Sequence, residues 1–476
     1  MIPTPSHLVF AQSSDVGISQ LLRSSLDQLS SPSGVAAVLL GIVFISITLL
    51  HRKGWMLLFL SIGFLAMLVE GTTTYFDNRL FSPLQEIREA SRLLGVMLLT
   101  LLAVVVRREQ RDYRISLLSI LVILFLFFEV QYAFRWLLAG EIVRSTLSII
   151  TGVLFVVALP LGVGRTLKSD SDGHSLVRLI ALLAVPYITC NLIQFVINPS
   201  ATVGVGRFAG ISGNAQQTGI MLSILILSLS WLIAIGRGTK ARLPILIILL
   251  GFCGLLLLWT GSRTAALGTI VGMAIMFRKR WLVIVVVPTL GAIFALVAAA
   301  LVGGELQEAM ARMQSMENTR SGVWSIAVQE IMNSPIFGAI GIGEVKRAHF
   351  VESTPLQVLQ GMGVVGFLPL LLVYLAIAHS CVGLFRMGGK KGLRSRLADY
   401  SLAIWGVLVV VSLFEAIFLG VITFFVFMIF LNMTLTAYLL SVGPGDDEEE
   451  WDRDEEEWDA DAEEHEEDLE NYTNAY

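Results

Sequence analysis

TGIMLSILILSLSWLIAIG (218–236), LPILIILLGFCGLLLLWT (243–260) and RTAALGTIVGMAIMF (263–277) follow one another, separated only by RGTKAR (237–242) and GS (261–262). Each run approaches the roughly 20 residues that a helix needs to cross about 30 Å of hydrocarbon. None alternates polar with apolar as a half-buried strand does, and none keeps the polar stripe of a helix lying on a soluble core. Hydrocarbon offers no partner to backbone N–H and C=O groups, so a run of this kind must close its own hydrogen bonds as a helix. The two breaks also differ. The first carries Arg237, Lys240 and Arg242, and the second is a tight joint.

The same pattern extends in both directions. Thirteen spans are expected, at about 34–50, 54–70, 90–106, 115–134, 146–164, 177–197, 218–236, 243–260, 263–277, 281–302, 355–385, 400–419 and 421–442. Only Gly420 and its neighbours divide the last two, so the count is about 12–13. The expected fold is therefore all-α, a polytopic transmembrane helix bundle. Composition agrees: 55% of the 476 residues are hydrophobic and 15% are charged, where a soluble domain carries about 25% charged residues. The organisation read from the sequence has five parts. They are an N-terminal segment (1–33), spans 1–10 (34–302), one large external loop with short helices (303–354), spans 11–13 (355–442) and an acidic tail (443–476). Residues 1–33 have neither a basic start nor a long apolar stretch, so no cleavable signal peptide is expected.

The formal net charge of −5 conceals two opposite parts. Between Asp446 and Glu470 the tail holds 18 Asp and Glu and one Arg; removing it leaves 32 basic against 20 acidic residues, a body at +12. The tail repeats EEEWD at 448–452 and 455–459. Its charge density precludes a packed core, which predicts disorder. Its role is either a solubilising spacer or a docking segment for a basic cytoplasmic partner. Cys190, Cys253 and Cys381 all lie in apolar runs and show no metal or disulfide spacing, so they read as buried small hydrophobes.

Basic residues sort the linkers by side. Arg52/Lys53, Arg107 to Arg114, Arg165/Lys168, Arg237 to Arg242, Arg278 to Arg280 and Arg386 to Arg396 occupy alternate linkers. The positive-inside rule makes that set cytoplasmic, with the acidic tail inside and the N-terminus outside. Loops 198–217 and 303–354 and the joint at 260–264 then face outward. The longest of these contains SGVWSIAVQEIM, with apolar residues at helical spacing, stopped by NSPIFG. Ionisable residues in spans are costly and mark functional positions by default. Glu70, Glu129, Glu415 and Arg263 all fall toward outer span ends, which favours a polar site at the outer face over an ion path through the bilayer.

Three stretches in order, GRFAGISGNAQQTG (206–219), TGSRTAALGTIVG (260–272) and TRSGVWSIAVQEIMNSPIFGAIGIG (319–343) leading to STPLQVLQGMGVVGF (353–367), resemble the O-antigen ligase and polymerase superfamily of bacterial envelopes. The likeness covers roughly residues 200–385. That family's histidine motif precedes Gly-x-x-Gly at a fixed spacing. Counting back from Gly363 and Gly366 puts Ser353 at its second position and Glu352, not histidine, at its first; His349 is three residues earlier. The resemblance implies a membrane glycosyltransferase that transfers or polymerises lipid-diphosphate-linked glycan at the outer face of the cytoplasmic membrane. Its partners would be that donor, a glycan or lipid acceptor and membrane lipids, with no nucleic acid. Ligase and polymerase both remain open. A lipid-linked glycan transporter or flippase, or a non-catalytic member of a polysaccharide assembly complex, are the alternatives.

Transfer of this kind needs a base for the acceptor hydroxyl and cations for the departing diphosphate. Arginine binds phosphate oxygens with a planar fork and stays charged in apolar surroundings. Arg207, Arg263 and Arg320 are the candidate clamp, with Asn214 and Ser353 as further substrate contacts and Glu352 as the candidate catalytic base. If the arginines converge, neither a metal nor a cofactor is required.

Overall fold

The computed structural model describes residues 48, 54–69, 80–106, 117–138, 140, 142–204, 206–236, 243–279, 308–309, 311–313, 320–339, 353–390, 392–417 and 423–441. The chain divides into a short unit, Met1–Leu57, and a body, Leu58–Tyr476. In the first unit the described residues are Thr48 and the opening turn of helix α1 (Gly54–Val69).

The described body is almost wholly helical. After α1 come α2 (Ser91–Val106), α3 (Leu117–Leu138), α4 (Ile142–Ala158), α5 (Asp170–Leu182), α6 (Ala184–Ile197), α7 (Ala215–Ile235), α8 (Leu243–Trp259) and α9 (Arg263–Met276). Then follow α10 (Ser321–Asn333), α11 (Thr354–Met387), α12 (Leu393–Phe414) and α13 (Phe424–Ser441). Six helical segments are long and apolar enough to cross a membrane, and five shorter apolar helices accompany them. They coincide with the runs read from the sequence; the expected spans at 34–50 and 281–302 lie almost wholly outside the described residues.

Burial separates central from peripheral helices. About 89% of the apolar window of α7 and of α13 is inside the protein, against 44% for α11. The outer surface is apolar too. Ile123, Phe127 and Phe134 on α3, Ile245 and Ile248 on α8, and Leu368, Leu372 and Leu375 on α11 are all exposed. Apolar surface on this scale would be unstable against water and is the exterior expected of a helix bundle in lipid.

In lipid the helices have no hydrophobic drive toward one another, so small residues and interhelical hydrogen bonds hold them. Gly268 and Gly272 of α9 bring that helix against Val407 and Val411 of α12, where an added Cβ would meet valine methyls at 2.9 to 3.4 Å. Gly406 does the same toward Ile275 and Val271. These contacts fix α9 and α12 as antiparallel, with residue numbers summing to about 679. A polar seam joins the central helices. Ser228 Oγ meets Tyr400 Oη at 2.8 Å, and Ser401 Oγ donates to Asn432 Oδ1 at 3.0 Å. Trp405 Nε1 donates to Thr436 Oγ1 at 2.9 Å.

Two helices begin about seven residues before the apolar run that announced them, for one physical reason. The first turns of α12 and α5 carry charges that find partners in the fold. Arg394 of α12 lies 3.5 Å from Asp170 of α5 and donates from Nη2 to the Leu439 carbonyl at 2.7 Å. Asp399 pairs with Arg278 at 2.9 Å. The start of α5 is also closed by a capping box between Ser169 and Asp172. At its other end α12 stops at Phe414, so Glu415, expected inside a span, is extended backbone just past the helix. Of the cysteines, Cys253 is buried as expected, while Cys190 and Cys381 are half-buried.

Candidate functional site

Loop 198–214 is folded back on the bundle rather than draped over it. Asn198 caps a single turn, Pro199–Thr202, and Val203–Gly204 then pairs antiparallel with Arg207–Phe208. The hairpin turn needs Gly206, whose φ is +68°. Asn191 of α6 accepts from the Ile211 N–H at 2.8 Å and anchors the segment. Ser212 Oγ and Thr218 Oγ1 meet at 2.5 Å, and Thr218 Oγ1 donates to the Ala209 carbonyl at 2.6 Å. Asn214 is the N-cap of α7: its Oδ1 accepts from Gln216 N at 2.9 Å and Gln217 N at 3.3 Å. The carbonyl end of that side chain is therefore committed to the helix, which leaves its amide end for the substrate contact expected of it.

This folding delivers Arg207 to the α8–α9 joint. Its Nε donates to the Thr260 carbonyl at 2.7 Å, while Phe208 packs on Trp259 with ring centroids 5.6 Å apart. The joint itself is a turn built on Gly261 at φ +59°, after which Ser262 caps α9 by accepting from Ala265 N. Arg263, the first residue of α9, is exposed. Arg207 and Arg263 thus flank one three-residue turn, although they are 56 positions apart in the chain. A carboxylate joins them that the sequence did not single out. Glu308 lies against Gly206, on the spot where a Cβ would stand, and the Ala309 carbonyl abuts Gly261.

Arg320 stands at the end of α12. Its Nη1 donates to the Phe414 carbonyl at 2.9 Å and its Nη2 pairs with Glu415 Oε1 at 2.5 Å, with both side chains largely shielded. Trp324, one turn along α10, stacks on Phe414. The Glu415 carbonyl in turn accepts from Thr354 Oγ1 at 2.9 Å, and Thr354 Oγ1 accepts from Ile417 N at 3.1 Å. Arg320 therefore ties the loop helix, the end of α12 and the start of α11 into one joint. Ser353, the N-cap position of α11, is buried in that joint and makes no side-chain cap.

The antiparallel register of α9 and α12 relates the two groups. A sum of about 679 places Arg263 level with residue 416, so Arg207, Arg263 and Arg320 all belong to the same end of the bundle. The register does not put Arg320 at the turn itself; its charge is already matched by Glu415. Glu352, His349 and Glu70 lie outside the described residues. Glu129 lies in the middle of α3, buried, not toward the helix end as expected.

The stretch after α10 has its own role. Gly363 interrupts α11 at φ +63°, ψ −165°, and the N–H groups of Val364 and Val365 turn to the carbonyls of Pro335 and Ile336 at 2.8 and 3.1 Å. Gly338 sits so close to the Gly361–Met362 backbone that it tolerates no side chain there. Gln360 donates to Glu330 across the same contact. The NSPIFG stop signal and the Gly-x-x-Gly stretch are thus two halves of one docking contact, which fixes where α11 starts and where its preceding residue emerges.

No family model matches the chain, and no curated protein matches its sequence.

Proposed function

We propose that this protein is a membrane glycosyltransferase that uses a lipid-diphosphate-linked glycan at the outer face of the cytoplasmic membrane, as ligase or polymerase. The observation that carries the reading is the hydrogen bond from Arg207 Nε to the Thr260 carbonyl at 2.7 Å, which holds a second guanidinium beside the start of the Arg263 helix. Two arginines from separate segments, set against the one carboxylate of Glu308, leave a net positive site at one helix joint suited to diphosphate. In the proposed reaction the acceptor hydroxyl oxygen forms a bond to the anomeric carbon while the bond from that carbon to the diphosphate oxygen breaks. The hydroxyl proton passes to Glu352, and the negative charge that develops on the leaving diphosphate is met by Arg207 and Arg263. Arg320 is a positioning residue in this scheme: through Glu415 and Thr354 it sets the start of α11, next to Glu352.

The test is binding of a polyprenyl-diphosphate glycan to the purified protein in lipid nanodiscs, followed by native mass spectrometry. Arg207→Ala and Arg263→Ala should each weaken binding roughly tenfold or more, and Lys should restore it in part, since charge-assisted bonds contribute about 1.5–3 kcal/mol each. Unchanged binding by both Ala variants would remove the diphosphate site.

A further inference from the structure

A second charged site lies at the opposite end of the bundle and has no part in the scheme above. A cavity of about 360 Å³ opens there between the ends of α7, α9, α11 and α12. Trp231 and Phe277 form part of its wall, and Arg278, Lys279, Lys390 and Arg396 supply cations. Asp399 is the one carboxylate of the described residues that lines it, and it is already taken up by Arg278 at 2.9 Å and by the Gly389 N–H at 2.8 Å. Arg278 is held in turn by the Phe385 ring and carbonyl. The net surplus is three positive charges around a partly aromatic hollow.

We infer that this cavity is the docking site of the protein's own acidic tail, with Trp451 or Trp458 of the EEEWD repeats set in the hollow and the flanking carboxylates on Lys279 and Lys390. Three independent observations select this occupant. The first is composition: each repeat places one tryptophan among four acidic residues, the complement of an aromatic hollow rimmed by cations. The second is place. The C-terminal turn of α13 is bonded to the first turn of α12, Arg394 Nη2 to the Leu439 carbonyl at 2.7 Å, and Arg396 of the cavity is two positions further along α12. Helix α13 therefore ends at the end of the bundle where the cavity opens. The third is reach. Trp451 lies ten positions beyond Ser441. Such a segment spans up to about 33 Å extended and about 17 Å on average as a flexible chain. A tether of this length holds the tail at an effective concentration on the order of millimolar, so a weak contact suffices to fill the site. The site accounts for the basic partner expected for the tail by finding it in the same chain, and it holds whether or not the opposite end transfers glycans.

The experiment uses the full chain in nanodiscs of zwitterionic lipid, treated with a water-soluble carbodiimide that joins carboxylates to lysine amines. Peptide mapping should recover residues 446–470 linked to Lys279 and Lys390 within a monomeric product. Raising NaCl from 0.05 to 0.5 M should cut that yield several-fold, because screening shortens the range of the attraction. The double variant Trp451→Ser, Trp458→Ser keeps every charge and should cut the yield roughly tenfold, as loss of a central aromatic anchor does. Equal linkage to Lys168 or other lysines, or linkage found only as covalent dimers, would overturn the inference. So would full yield from the Trp variant, or loss of the links when anionic lipid is added, which would assign the cavity to lipid headgroups.

Discussion

Gly363→Ala should undock the external-loop helix from α11. At φ +63°, ψ −165° the residue occupies a region open essentially to glycine alone, and holding alanine there costs about 1–3 kcal/mol. The new Cβ would also fall on backbone, the carbonyl of Ile336 and the nitrogen of Phe337, which cannot swing aside as a side chain can. Relief requires the 335–337 segment to withdraw, and with it go the hydrogen bonds from Val364 to Pro335 and from Val365 to Ile336, worth about 0.5–1.5 kcal/mol each. The sum is about 2–6 kcal/mol, or roughly 30-fold to 20,000-fold more opening of this contact at a factor of ten per 1.4 kcal/mol. Hydrogen exchange of the Val364 and Val365 amides, which donate across the contact, read by mass spectrometry in nanodiscs, measures the opening directly. Gly322→Ala on α10 is the control, because its Cβ would meet nothing within 4 Å. If Gly363→Ala exchanges no faster than the control, the docking contact does not hold the loop and the reasoning fails.

Three further outcomes follow from the same geometry. In a thermal-stability cycle, Arg320→Ala and Glu415→Gln should show a coupling of about 1–3 kcal/mol, between the values for exposed and buried pairs; additive effects would show that the ion pair ties nothing together. Asn214→Ala should cost about 1 kcal/mol of stability through loss of the α7 cap while leaving diphosphate binding within about twofold; a selective loss of binding would show the amide end contacts substrate. A membrane-impermeant label at a cysteine replacing Ser315 and a reporter fused after Tyr476 should report opposite sides of the membrane, as the Lys/Arg asymmetry requires; both on one side would contradict the outer-face site.

The helices were legible because hydrocarbon tolerates so few residue types that each crossing leaves a long apolar run. What tertiary partners decide was not. Arg394 and Asp399 look like loop residues until Asp170 and Arg278 are placed beside them, which is why α12 extends seven residues before its apolar run. Arg320 reads as a phosphate ligand in sequence, since nothing local reveals that Glu415, 95 positions away, neutralises it. Glu308 gave no signal, because its contact is to the bare backbone of Gly206. The approach of Arg207 to Arg263 was expected only from family likeness, and it depends on a fold-back held by Asn191, Ser212 and Thr218. Gly363 enters the sequence reading as part of the Gly-x-x-Gly spacing; in the structure it breaks a helix and receives a loop.

Turnover of a purified polyprenyl-diphosphate glycan donor by the reconstituted protein, measured for wild type, Glu352→Gln and Glu352→His, tests the proposed chemistry most directly. The wild type should release polyprenyl diphosphate in step with new glycosidic bonds. Glu352→Gln keeps the shape and removes the basicity, so it should be slower by roughly 100- to 10,000-fold, with donor binding unchanged and activity recovered in part by Glu352→His. A wild-type protein that binds the donor and moves it across the membrane without breaking the sugar–phosphate bond would contradict the enzyme reading, and full turnover by Glu352→Gln would contradict the base.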